Sequence, residues 1–299
     1  MLVVETFFWD TFQKMTSNFF NRIAVVNIGE LSKPGVSIAG LRTSFDITKT
    51  ETSESNICKV TINNLSKATQ NKIRADAKLL LELKVGYTEG SPVETLFVGD
   101  IINVSNNNVS PEVETIIEVA DGARAIKTNL FSESFAKGST LRQVIEKAVK
   151  QFGLPEKTRL SLVNIPNVSF LSGYAFEGYT ADLMDQLCLD NGLQWSVQNN
   201  ELKIYLKSST DRSKIVKTIL IGSPKHVVAK ETKSSTETAT SFTGWEFKTL
   251  LLPQAEPGGN ILLSSLDVFP EVQLKIKEVK HTGDTHGEDW TSTIKGEVI

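Results

Sequence analysis

The chain has 299 residues, 40% of them hydrophobic and 22% charged, with a formal net charge of −3. That length allows two or three domains with a proper buried core, and the composition is that of a soluble globular protein. The charge lacks the basic excess that a dedicated nucleic-acid binder uses to neutralise phosphates, so specific nucleic-acid binding is not expected.

Residues 1–20, MLVVETFFWDTFQKMTSNFF, are strongly apolar. Glu5 and Asp10 interrupt the run and no basic residue precedes Lys14, which argues against a signal peptide. No uncharged stretch approaches the ~20 residues of a membrane span. Two readings stay open: an ordered arm or first helix, or an arm whose Phe7, Phe8, Trp9 and Phe12 dock on a partner.

Residues 21–130 read as strands. RIAVVNIG, GVSIAGLRTSFDITKT and ICKVTINNLS are rich in β-branched residues and partly alternate, the last breaking at Asn63-Asn64. A short helix is expected over SKATQNKIRADAKLL, with Ser66 as N-cap. LLLELKVGYTEG, VETLFVGDIINVS and EVETIIEVADGARAI follow, the last two joined by a hairpin linker, NNNVSP. Many short strands with one helix predict an antiparallel sandwich or barrel.

Residues 131–207 change character. GSTLRQVIEKAVKQFGLP predicts a helix with Thr140 as N-cap, Gln143 completing a capping box, Gly153 as the stop and Pro155 barring continuation. Leu141, Val144, Ile145, Ala148, Val149 and Phe152 form one apolar face. GYTADLMDQLCLDNGLQW predicts a second helix, capped by Thr180 and ended by Gly192. Both segments start with Gly-x-Thr and end with Gly-Leu, so they read as a degenerate repeat. LQWSVQNNELKIYLK then predicts two strands around an Asn199-Asn200 turn.

Residues 208–299 open with a strand-like KIVKTILIG, then a Ser/Thr/Lys-rich tract expected to be a linker or exposed loop. Strands resume in GWEFKTLLLP, GGNILLSSL and EVQLKIKEVKHTGDTHGEDWTSTIKGEVI. Pro253, Pro257, Gly258 and Gly259 mark a turn. Cys58 and Cys188, the only cysteines, sit in unrelated elements and are expected to be buried and reduced.

Catalytic signatures are missing: no nucleophile elbow, Walker loop, dinucleotide fingerprint, H-E-x-x-H or C-x-x-C. His226, beside a proline turn, reads as a surface residue. The remaining candidate is EVKHTGDTHGEDW (278–290). His281, Asp284 and His286 could hold a divalent ion, with Glu288 as general base and Asp289 adjacent. Against this, TGDTHGE has the composition of a turn between two strands. As a hairpin tip, its histidines and acids would contact a neighbouring protein, and Trp290 would resume the core.

The ordered set of motifs resembles the tail-hub proteins of contractile-tailed phages. GWEFKTLLLPQAEPGGNILLSS and KIKEVKHTGDTHGEDWTSTIKGEV resemble the C-terminal part of that family. TLFVGDIINVS with EVADGARAI resembles its N-terminal tail-tube-like domain, and the two-helix repeat resembles the module inserted between its two barrels. The resemblance covers nearly the whole chain after residue 20, but neither the aromatic arm nor the Ser/Thr tract has a match in it. It implies an α+β, β-rich fold: an arm (1–20), a first tube-like β-barrel (21–130), an α+β module (131–207), and a linker with a second barrel (208–299). It further implies a non-enzymatic homotrimeric hub of the virion baseplate, assembled in the host cytoplasm, without cofactor, metal or catalytic residues. Such a hub joins the six-fold tail tube, or a tube-initiator protein, to the three-fold spike. It surrounds a channel for the tape-measure protein and DNA, and it touches other baseplate proteins. Two alternatives remain: the metal-dependent hydrolase on His281, Asp284 and His286, and a cell-wall-binding tail protein using Trp195 and Trp290 as an aromatic platform.

Overall fold

A computed structural model describes residues 21–30, 35–74, 79–88, 93–154, 165–206, 211–216, 220–231, 240–265 and 268–299. The aromatic arm and Pro155 lie outside the described residues.

The first group of elements is β1 (Arg22–Gly29), β2 (Val36–Ile38), β3 (Thr43–Thr50), β4 (Ile57–Asn63), α1 (Lys67–Arg74), β5 (Leu80–Tyr87), β6 (Glu94–Val109) and β7 (Glu112–Ala120). Alternation sets their inner faces: Ala24, Val26 and Ile28 of β1 and Cys58, Val60 and Ile62 of β4 are buried. Ser66 Oγ accepts from the Thr69 N–H at 3.2 Å, so the helix starts where expected. The described helix covers Lys67–Arg74, and Leu80 already belongs to β5. The expected NNNVSP linker is mostly strand. Asn106–Val109 pair with Glu112–Thr115 and leave Ser110-Pro111 as the turn. Asn side chains sustain this ladder, with Asn107 Nδ2 donating to Glu114 and Asn106 Nδ2 to Gln70 of α1.

The middle group is α2 (Ala123–Thr128), β8 (Leu130–Phe135), α3 (Leu141–Phe152), β9 (Tyr174–Tyr179), α4 (Thr180–Asp190), β10 (Leu193–Gln198) and β11 (Glu201–Leu206). The capping box of α3 is present, with Gln143 N–H on Thr140 Oγ1 and Thr140 N–H on Gln143 Oε1. Gly153 ends α3 at φ +63°. Thr180 does not cap α4. It is the first helical residue, because β9 runs straight into the helix, and its hydroxyl donates to the Asn129 carbonyl instead. Asn199 and Asn200 (φ 55° and 63°) make the tight turn between β10 and β11.

The last group is β12 (Asp211–Val216), β13 (Lys225–Glu231), β14 (Thr240–Leu250), β15 (Gly259–Ser265), β16 (Val268–Asp284) and β17 (Trp290–Val298). Much of the expected Ser/Thr/Lys linker is therefore strand, since β13 pairs with the start of β14. Its polar side chains hid the pairing, and residues 232–239 lie outside the described set.

Two tube-like β-barrel domains were expected. The described strands instead form one open ladder, β13-β14-β17-β16-β3-β4-β7-β6-β5-β1-β2, with β15 and β12 attached beside β16. The reason is the length of β16. Its first half pairs with β15, and its second half pairs with β3 from Glu278↔Thr50 to Asp284↔Ser44. Strands β8-β9 and β10-β11 form two separate two-stranded sheets, and the described residues form three hydrophobic clusters. The first combines β1–β7 with Leu251 and Trp290, the second belongs to the middle group, and the third to the last group. Cys58 and Cys188 are both buried and unpaired with each other, as anticipated.

Candidate functional site

The 278–290 stretch is a strand followed by a short turn. His281 lies inside β16 and is fully buried, so it is neither at a hairpin tip nor able to touch a neighbouring protein. Its Nδ1 hydrogen-bonds Ser292 Oγ of β17 at 2.8 Å. Burial, then the positive charge of Lys49, holds the imidazole well below its usual range, so it is neutral. Asp284, three residues on, faces the other side of the strand. Partial burial pushes its carboxyl up, but Arg42 at 2.8 Å and the His286 N–H outweigh this and hold it below the usual value. His286 is exposed, with Nδ1 2.9 Å from Thr285 Oγ1. Glu288 and Asp289 are exposed. The three proposed ligands are thus not brought together. Among the described residues no cluster of three or more His, Cys, Asp or Glu is placed to hold a metal ion.

The aromatic platform is not formed either, since Trp195 and Trp290 are each only 2% exposed. Trp195 Nε1 donates to Asp185 in the middle group. Trp290 packs edge-on against Phe45 and Tyr87 in the first cluster, so the core that resumes there is the first one. His226 is exposed, with its ring edge-on to Trp245.

The turn after β16 serves as a clasp. Arg22, at the start of β1, donates from Nη1 to the carbonyls of Gly287 (2.7 Å), Asp284 (3.3 Å) and Asp289 (3.4 Å), and from Nη2 to Glu288 (3.3 Å). Its guanidinium also lies over the Trp290 ring. A guanidinium fork, with five donors in one plane, can satisfy several carbonyls of one turn. The side chain thereby bridges a gap that the backbone ladder leaves open.

A second polar centre joins all three groups of elements. Asp121, at the end of β7, accepts from the Asn200 N–H on Oδ1 and the Asn199 N–H on Oδ2, both at 2.6 Å. Burial pushes its carboxyl up to about 6 despite these bonds and the nearby Lys49. Asn56 Nδ2 reaches the Val197 carbonyl and Gln198 Oε1, and Gln198 Nε2 donates to the Thr50 carbonyl. Lys49 Nζ, fully buried, donates to Asn199 Oδ1 at 3.0 Å, and burial lowers its pKa. Asn199 Nδ2 donates to Glu256 at 2.8 Å, and Lys203 pairs with the same carboxylate. Nearby, the buried Glu51 pairs with Lys275 at 2.5 Å and Lys277 at 3.0 Å. Asp121, Glu256 and Glu51 each have an opposite charge or two dipoles against them, and Lys49 has the Asn199 amide oxygen and the Phe97 ring with Glu256 and Asp121 nearby, which is how burial of charge is offset. The arrangement holds elements in place.

Sequence reasoning missed this centre. Asn199-Asn200 was legible as a turn, but nothing local marked Asp121 as its acceptor. The one available signal was an acid-glycine pair, Asp121-Gly122, ending an apolar strand.

A profile of the baseplate hub gp41 family matches residues 24–268. No curated protein matches the chain. Several solved structures share its fold. One is a tail protein from Neisseria meningitidis MC58, with 11% identity, TM-score 0.63, and 93% of this chain and 97% of that one covered. The second is the 43 kDa tail protein of prophage MuSo2 from Shewanella oneidensis, with 12% identity, TM-score 0.60, and coverage of 92% and 97%. The third is the E. coli c3393 protein, a type VI secretion component described as structurally similar to the T4 tail proteins gp27 and gp5. It has 10% identity, TM-score 0.58, and coverage of 92% and 76%.

Proposed function

The chain belongs to the baseplate hub gp41 family, and from that premise we propose that it is the central hub of a phage tail baseplate, acting as a homotrimer. In this reading residues 21–130 and 208–299 form two tube-like units, 131–207 form the module between them, and 1–20 form an arm. Three subunits present six tube-like units to the six-fold tail tube or its initiator, while their three-fold symmetry matches the spike. The ring encloses a channel for the tape-measure protein and DNA, and its rim meets other baseplate proteins. Assembly takes place in the host cytoplasm. The hub's contribution is geometric, made through interfaces rather than bond chemistry.

The observation that carries this reading is the β3–β16 pairing, which fuses two sheet units of one subunit into a single ladder. Among the described residues the ladder ends at β2 and β13, and such edges are what ring neighbours would cover. Native mass spectrometry tests it. The expected species is a trimer that gains mass when the spike protein of the same phage is added. A monomer indifferent to that protein would overturn the proposal.

A further inference from the structure

The three hydrophobic clusters are not joined in the same way. The first and last groups of elements share a backbone ladder, and Leu251 and Trp290 of the last group sit in the first cluster. The second cluster draws only on residues from Ala125 to Leu206. Among the described residues, what crosses from it to the other two is mostly polar: the Asn199-Asn200 tip on Asp121, Lys49 on Asn199, Asn56 on Val197 and Gln198, Gln198 on Thr50, Gln194 on the Glu51 carbonyl, and Asn199 and Lys203 on Glu256. The apolar contacts that cross are small: Val197 rests against Gly122, and the Tyr205 ring lies against Gly258 and beneath Lys275. Interfaces within a chain that are polar rather than broadly apolar behave like transient ones, with relative motion the default.

We propose that the middle module is a latched, separately moving body, released from the fused double sheet when the Asn199-Asn200 tip leaves the Asp121 carboxylate. The pivot is α2. Arg124 ties it to β6 through Asp100, by its N–H at 2.9 Å and its Nε at 2.6 Å, while Ala125 packs in the module's own cluster. The latch is chemically economical, because one carboxylate satisfies two consecutive backbone N–H groups that a tight hairpin turn leaves pointing outward. Release exposes those groups, Asn56, Gln198 and the carboxylate to water, which solvates all of them. An apolar interface of the same size would have no such compensation. The module also carries several exposed apolar side chains, with Leu130 and Tyr179 directly paired across β8 and β9 and Leu189 on α4, so its orientation decides where that surface points.

Residue-resolved hydrogen exchange on the full chain tests this. In the wild type, the Asn199 and Asn200 amides should exchange at least about tenfold faster than Val144 in α3 or Val60 in β4, through an opening that leaves both cores closed. In Asp121→Ala the two turn amides should accelerate about tenfold again and still exchange at least about tenfold faster than Val144 and Val60. Equal protection of turn and core amides in the wild type would overturn the proposal. So would an Asp121→Ala chain whose turn amides exchange no faster than in the wild type, or only as fast as its own core amides.

Discussion

The two junctions of this molecule are built from opposite materials. Between the two sheets, the join is a backbone ladder over β3 and β16, backed by Trp290 in the core of the other sheet and clasped by Arg22. Between the sheets and the middle module, it is a set of side-chain hydrogen bonds converging on Asp121, Asn199 and Glu256. A ladder with interlocked apolar side chains can be broken only by unfolding strands. A hydrogen-bonded polar contact can part and rehydrate at modest cost. The same chain therefore contains a rigid join and a separable one.

The sharpest way to break this contrast is Trp290→Ala. Removing a buried indole that touches Phe45 and Tyr87 should cost about 3–5 kcal/mol in urea unfolding and destabilise both sheets together. A small loss would mean that the ladder alone holds the seam. Asp121→Ala should cost less, about 1–3 kcal/mol, because two buried N–H groups lose their acceptor. Arg22→Ala should follow at about 1–2 kcal/mol, since the turn carbonyls it frees are close to solvent. Lys280→Ala, which removes an exposed pair with Asp46 across the β3–β16 seam, should change stability by no more than about 0.5 kcal/mol, and it serves as the reference for a solvent-exposed contact at the same join.

The two junctions should also differ in pH response. Asp121 sits at about 6 in the folded chain, above the ordinary 3.8. Its contribution is therefore fully present below about 4 and lost as pH rises towards 6. His281, at the seam, is shifted the opposite way. Its contribution is present above its ordinary 6.5 and is lost as pH falls. In the wild type the two slopes oppose each other over the acid range. In Asp121→Asn only the seam's slope remains, so stability should fall more steeply on acidification from pH 6 to 4. Urea titrations of both proteins across that range check the sign, and parallel curves would contradict it.

What the sequence determined by itself was local. Thr140 with Gln143 and Gly153 set the ends of α3, Ser66 set the start of α1, and Asn199-Asn200 set the turn, because capping and turn chemistry depend on neighbours a few residues away. The alternating strands were legible for the same reason, and the ordered motifs carried the family. The tertiary structure decided what depends on distant partners. It placed Lys225–Glu231 and Asn106–Val109 in ladders despite their polar side chains, because a strand's hydrogen bonds come from whatever lies beside it. It placed Thr180 inside its helix, with its hydroxyl on Asn129. It turned His281 inward and Asp284 outward, dissolving a metal site that spacing alone allowed. It also joined the two sheets through β16 and set Asp121 under a turn nearly eighty residues away. Local chemistry fixes where elements begin and end, but long-range pairing decides which of them share a body.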